Sequence, residues 1–128
     1  MEERKIAPDI KRKIIDISKK ENVILAVYIF GSYGTDYQRI NSDLDLAILF
    51  DENPEIMDQM DLAGKYELAI GVEVDLINLN KVDIILKHEV IIKGEKIYSK
   101  DEIKTADFVE YVLKFAPDAR ITKKKFQD

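Results

Sequence analysis

The stretch Ile29–Phe50, "IFGSYGTDYQRINSDLDLAILF", decides how this chain folds. It continues an apolar run, "VILAVYIF" at 23–30, whose β-branched and aromatic residues read as a buried strand. It closes on "DLDLAILF" at 43–50, a second strand. Between the strands stand Gly31-Ser32 and then ten residues that lead to Asp43, Leu44 and Asp45. Alternate side chains of a strand share a face, so Asp43 and Asp45 point one way while Leu44 and Leu46 enter the core. Two ionised carboxylates about 6–7 Å apart repel by roughly 2–3 kcal/mol at an effective dielectric near 20. A structural strand gains nothing from that. A divalent cation reverses the sign, and Mg²⁺ is commonly held by one or two carboxylates together with substrate phosphates.

Outward from this stretch, the pattern alternates helices with strands. Pro8 suits a first helical turn, and Ile10, Ile14 and Ile17 recur at helical spacing to about Lys20. Asn53-Pro54 opens a helix, with Asn53 as its cap, Ile56, Met60, Ala63 and Leu68 inward and a stop near Gly71. "VEVDLINL" at 72–79 alternates as a third strand. Asn80 caps a helix over 81–93 that ends at a left-handed Gly94. "EKIYS" is a short strand, and a last helix spans about 101–116 before Pro117. "YGTDYQ" adds a turn or a short fifth helix. This predicts an α/β (α+β) domain, a mixed sheet of about four strands with helices packed mainly on one side. The domain is expected over 1–116, with a basic tail over 117–128.

Composition narrows the class. The 128 residues suffice for one core, and 46% hydrophobic with 35% charged content describes a globular chain. There is no cysteine, so disulfides and thiolate metal sites are excluded. The N-terminus is charged, and no apolar run approaches spanning length, so no membrane association and a cytoplasmic location are expected. A net charge of −5 argues against direct nucleic-acid binding.

The third strand supplies one more acid. Val72, Val74 and Leu76 share one face, with Glu73, Asp75 and Ile77 on the other. If this strand lies beside 43–50, Asp75 joins Asp43 and Asp45, a set suited to metal-assisted phosphoryl or nucleotidyl transfer. Gly31-Ser32 offers the matching anion site, because glycine admits close backbone approach and exposed N–H groups attract phosphate.

Gly31-Ser32, ten residues, Asp43-Leu44-Asp45 and Asp75 in "VDLI" together resemble the DNA polymerase β-like nucleotidyltransferase superfamily. With "LKHEVIIKGEKIYSKDE" downstream, the chain is most similar to its minimal nucleotidyltransferases (MNT), antitoxins often paired with HEPN-type ribonuclease toxins. The resemblance covers about 24–115. It implies that Gly31 and Ser32 hold the outer phosphates of ATP and that Asp43, Asp45 and Asp75 ligate Mg²⁺. Asp75 would also help deprotonate the attacking hydroxyl. The implied reaction transfers AMP from ATP to a tyrosine of a cognate HEPN toxin within a hetero-oligomer. The predicted elements leave no segment for a separate acceptor-binding domain, so the acceptor is expected on another chain.

Relatives often follow Gly-Ser with a small residue, a basic residue and glycine. Here Tyr33-Gly34-Thr35-Asp36 follows, with an acid in place of the base and Arg39 as a substitute cation. Two other readings therefore stay open: a binding-only antitoxin with a weakened nucleotide site, and a free-standing transferase acting on a small hydroxylated substrate. Other residues take plainer roles. His88 and Glu73 are expected at the surface, Tyr33 against the sheet edge, Met57 and Met60 in the core, and Lys123–Lys125 in a solvated tail.

Overall fold

The computed structural model describes residues 8–31 and 44–116. Its elements are α1 (Pro8–Lys19), β1 (Ile24–Phe30), β2 (Leu44–Phe50), α2 (Ile56–Ile70), β3 (Val74–Asn78), α3 (Ile84–Lys93), β4 (Glu95–Ser99) and α4 (Glu102–Phe115). The short helix or turn expected in "YGTDYQ" and the tail at 117–128 lie outside the described residues.

The four strands form one mixed sheet in the order β3-β2-β1-β4. β1 runs antiparallel to β2 and to β4, while β2 and β3 are parallel, with α2 as their crossover. β1 and β2 occupy the centre and are buried on both faces, which explains their continuous apolar runs. Leu44, Leu46, Ile48 and Phe50 pack with Ile14 of α1 and with Leu62 and Tyr66 of α2. Ala47, Leu49 and Tyr28 pack on the opposite side with Val90 of α3, and Phe108 of α4 closes over them. Burying each large aliphatic side chain in these layers contributes about 1.5–3 kcal/mol.

Helices therefore cover both faces, two on each, where the sequence pattern predicted packing mainly on one side. The reason is the sheet itself. A shift in the β1–β2 register between Ile24 and Ala26 lets Leu25 and Ala26 both serve the second face, which becomes a core of its own.

Several helix details differ from expectation for identifiable reasons. α2 turns Leu62, Tyr66 and Ile70 inward, leaving Ile56, Met57, Met60 and Leu68 between 63% and 89% exposed. Apolar residues lie on two sides of this helix, and Tyr66 decides between them. Its hydroxyl lies 2.8 Å from Ser18 Oγ, which itself donates to Ile14 O at 2.7 Å, so Tyr66 is the donor to Ser18. Glu55, not Asn53, is the N-cap of α2, and Asp83, not Asn80, caps α3 by accepting from Leu86 N–H. Gly94 is extended (φ −83°, ψ 170°), not left-handed. Glycine is required there because a Cβ would lie 2.6 Å from Val90 O and 3.1 Å from Ile29 O. Gly71 does end α2 with a left-handed φ of 85°.

Candidate active site

β1 ends where β2 and β3 begin, so one end of the sheet gathers Gly31, Asp45 and Asp75. Phe30 pairs with Asp45 across β1 and β2, and Asp45 pairs with Asp75 across β2 and β3. Adjacent strands lie about 4.8 Å apart, so the two carboxylates leave the same face side by side. It is the face that carries Ala47, Leu49 and Ile77 deeper in the sheet. Asp45 is half-buried, whereas Asp75 and Glu73 are exposed. Leu44 N–H donates to Glu73 O at 2.9 Å, which fixes the parallel register at its first residue.

Gly31 presses its backbone against this pair. It has φ 92°, and a Cβ there would collide with the Asp45 carboxylate. Both facts demand glycine. Main chain at the end of β1 thus comes close to the Asp45 carboxylate.

Of the residues singled out in the sequence, Gly31, Asp45 and Asp75 are brought together, while Ser32 and Asp43 lie outside the described residues. Among the described residues no cluster of three or more acids or histidines could hold a metal. Two adjacent carboxylates nevertheless fit Mg²⁺, a hard cation that takes oxygen donors and completes its shell with water and phosphate. His88 on α3 is half-buried and belongs to a different element from the acids.

Glu67 is a residue that the sequence pattern missed. Its main-chain oxygen accepts from Gly71 N–H at 2.8 Å, and its side chain accepts from Val74 N–H at 2.9 Å. One residue thus holds both ends of the turn that leads into Asp75. A signal was present: a glutamate in the last turn of a helix faces the negative end of the helix dipole and needs a specific partner.

A cavity of about 1220 Å³ lies elsewhere, beside α2 and the segment before it. Val23, Phe50, Asn53, Met60 and Leu68 help to line it, and none of Gly31, Asp45 and Asp75 does. Its volume has no bearing on the chemistry at the acids.

Residues 12–103 match the family described as polymerase beta nucleotidyltransferase, which spans most of the chain. The chain belongs to that family. This nucleotidyltransferase sets Asp45 beside Asp75 across β2 and β3, and relatives it is similar to are named as protein adenylyltransferases. It is 37% identical over 83 residues to a putative protein adenylyltransferase of Methanocaldococcus jannaschii, covering 65% of this chain and 88% of that one. It is 30% identical over 76 residues to the protein adenylyltransferase MntA of Shewanella oneidensis. That match covers 59% of this chain and 55% of MntA, so the nucleotidyltransferase described here spans about half of MntA's length. Among solved structures, the fold matches an MNT antitoxin in complex with the tri-AMPylated Shewanella oneidensis HEPN toxin. The TM-score is 0.70 at 22% identity, over 93% of each chain.

Proposed function

We propose that this nucleotidyltransferase moves AMP from ATP onto a tyrosine of a HEPN-type toxin, and so serves as the antitoxin of a two-protein pair. The observation that carries the reading is the Asp45–Asp75 register pair with Gly31 pressed against Asp45. The names of the relatives support adenylyl transfer to protein, and the HEPN toxin complex supports the partner.

In this reading Gly31 and Ser32 receive the outer phosphates of ATP, and Asp43, Asp45 and Asp75 would hold Mg²⁺. The ion, when bound, offsets phosphate charge and polarises the reacting phosphorus. The acceptor oxygen attacks the α-phosphorus, and the bond from that phosphorus to the oxygen bridging to the β-phosphate breaks. Pyrophosphate leaves, and the hydroxyl proton passes to the Asp75 carboxylate. Asp45 sits against the Gly31 backbone, which fixes its place at the end of β1. The supply of ATP fits a cytoplasmic setting. Among the described residues no helix is long and apolar enough to cross a membrane.

The test is incubation with ATP, Mg²⁺ and the HEPN-type protein encoded beside this chain, followed by intact mass measurement of that protein. An AMP increment is expected with the wild type and none with the double variant Asp43→Asn/Asp45→Asn. One observation favours a second reading, a contact-only antitoxin: Asp36 stands where relatives often carry a basic residue. Protection of cells from the toxin without any AMP increment would establish that reading and overturn ours.

A further inference from the structure

We infer that Glu67 is a positioning residue for Asp75, acting through the backbone of Val74 and not by touching any reactant. The inference rests on the role proposed above for Asp75.

Among the described residues β3 is an edge strand, with β2 on one side and no strand on the other. In the register Leu44↔Val74, Leu44 donates to the residue before Val74, Glu73. A parallel ladder built this way turns Val74's own N–H away from β2, toward the open edge. Val74 is only 8% exposed, so that N–H has poor access to water and needs a protein acceptor. Glu67 Oε2 supplies it at 2.9 Å. The carboxylate stands where a neighbouring strand would place a carbonyl, at the residue that precedes Asp75. Meanwhile Glu67's main-chain oxygen holds Gly71, whose left-handed φ turns the chain out of α2. The short segment between Gly71 and Val74 is therefore tied at both ends to a single residue. With this edge bond in place, Asp75 starts from a fixed backbone opposite Asp45. Without it, the first residue of β3 is held from the β2 side alone.

The measurement uses the full chain with Mn²⁺ and AMP-PNP as probes, together with AMP transfer to the HEPN-type partner. Glu67→Gln keeps an oxygen acceptor of the same reach. Glu67→Met removes the acceptor at similar volume. Glu67→Asp keeps the charge but shortens the reach, which covers the case in which Glu67→Met does not fold. In Met and Asp variants, exchange of the Val74 amide proton should quicken at least about tenfold, while Mn²⁺ affinity in the presence of AMP-PNP and kcat each fall roughly tenfold, the scale of an outer-shell support. KM for the partner should not change. Glu67→Gln should stay within about threefold of wild type in all readouts. Faster Val74 exchange with metal affinity and kcat within twofold of wild type would overturn the inference. So would a Gln variant as impaired as the Met variant, since charge and not the acceptor would then matter. Failure of the underlying reading looks different: Asp75→Asn would keep wild-type kcat, whatever the Val74 amide does.

Discussion

At the far end of the sheet, Asn80 lies against Phe50 like a short extra strand, accepting from its N–H at 2.7 Å and donating to its carbonyl at 2.9 Å. Asn78 donates to Asn53 and accepts from Asn80 N–H, and Asp51 is paired with Lys100 at 3.1 Å. At the near end, β2 and β3 set Asp45 and Asp75 side by side, with a glycine backbone against the first. The same sheet thus ends in two ways. One end uses amides, which donate and accept and so satisfy one another. The other sets two carboxylates together, the arrangement that the proposed function uses to hold a cation.

This contrast predicts a separation of stability from activity. The largest effect is expected for Asp45→Asn, which should lower AMP transfer by more than the roughly 100-fold typical of outer-shell changes. Its far-UV circular dichroism should stay that of the wild type. An active Asp45→Asn protein would erase the distinction between the ends. Gly31→Ala should impair both properties. A left-handed non-glycine residue costs about 1–3 kcal/mol, and the added methyl displaces the Asp45 carboxylate. Denaturant unfolding and transfer assays on the same sample check this. Asn80→Ala should do the reverse of Asp45→Asn, with about 1–3 kcal/mol of stability lost through the stranded Phe50 backbone groups and unchanged kcat.

The smallest effect concerns pH. Burial holds the Tyr66 hydroxyl above the ordinary tyrosine range. The folded chain thus prefers the neutral phenol. That contribution is complete below about pH 10 and is lost as pH rises beyond it toward the folded-state value. Stability measured at rising alkaline pH should fall in wild type and in Asp45→Asn alike, and Tyr66→Phe should flatten the fall.

Much of the near end could be read from residue order. Strand faces follow from a period of two, and the register Asp45↔Asp75 then puts the acids of β2 and β3 on one face. The far end was misread because Asn53 and Asn80 have the chemistry of helix caps and sit just before helical patterns. Only the pairing of β2 with β3 brings Asn80 beside Phe50 and Asn78 beside Asn53. α2 was misread because Met57, Met60 and Leu68 make as good an apolar stripe as Leu62, Tyr66 and Ile70. A tyrosine with a buried partner on α1 breaks that tie, and sequence does not display the partner. Gly94 was placed at a helix end correctly, but its cause is close approach to the carbonyls of Val90 and Ile29, the second a contact between elements. Ser32, Asp43 and Asp36 belong to the stretch outside the described residues.

The parallel pairing of β2 and β3 has a kinetic consequence. Antiparallel neighbours can zip up from a turn, but Asp45 and Asp75 meet only after α2 has formed and crossed over the sheet. Such non-local pairing closes late, because the entropy of the intervening loop is lost before any contact offsets it. A refolding chain should therefore regain its helical signal before its acid pair forms. A chain released before β3 is made carries Gly31, Asp43 and Asp45 without Asp75, so under the proposed function catalytic competence waits on the crossover that brings β3 beside β2.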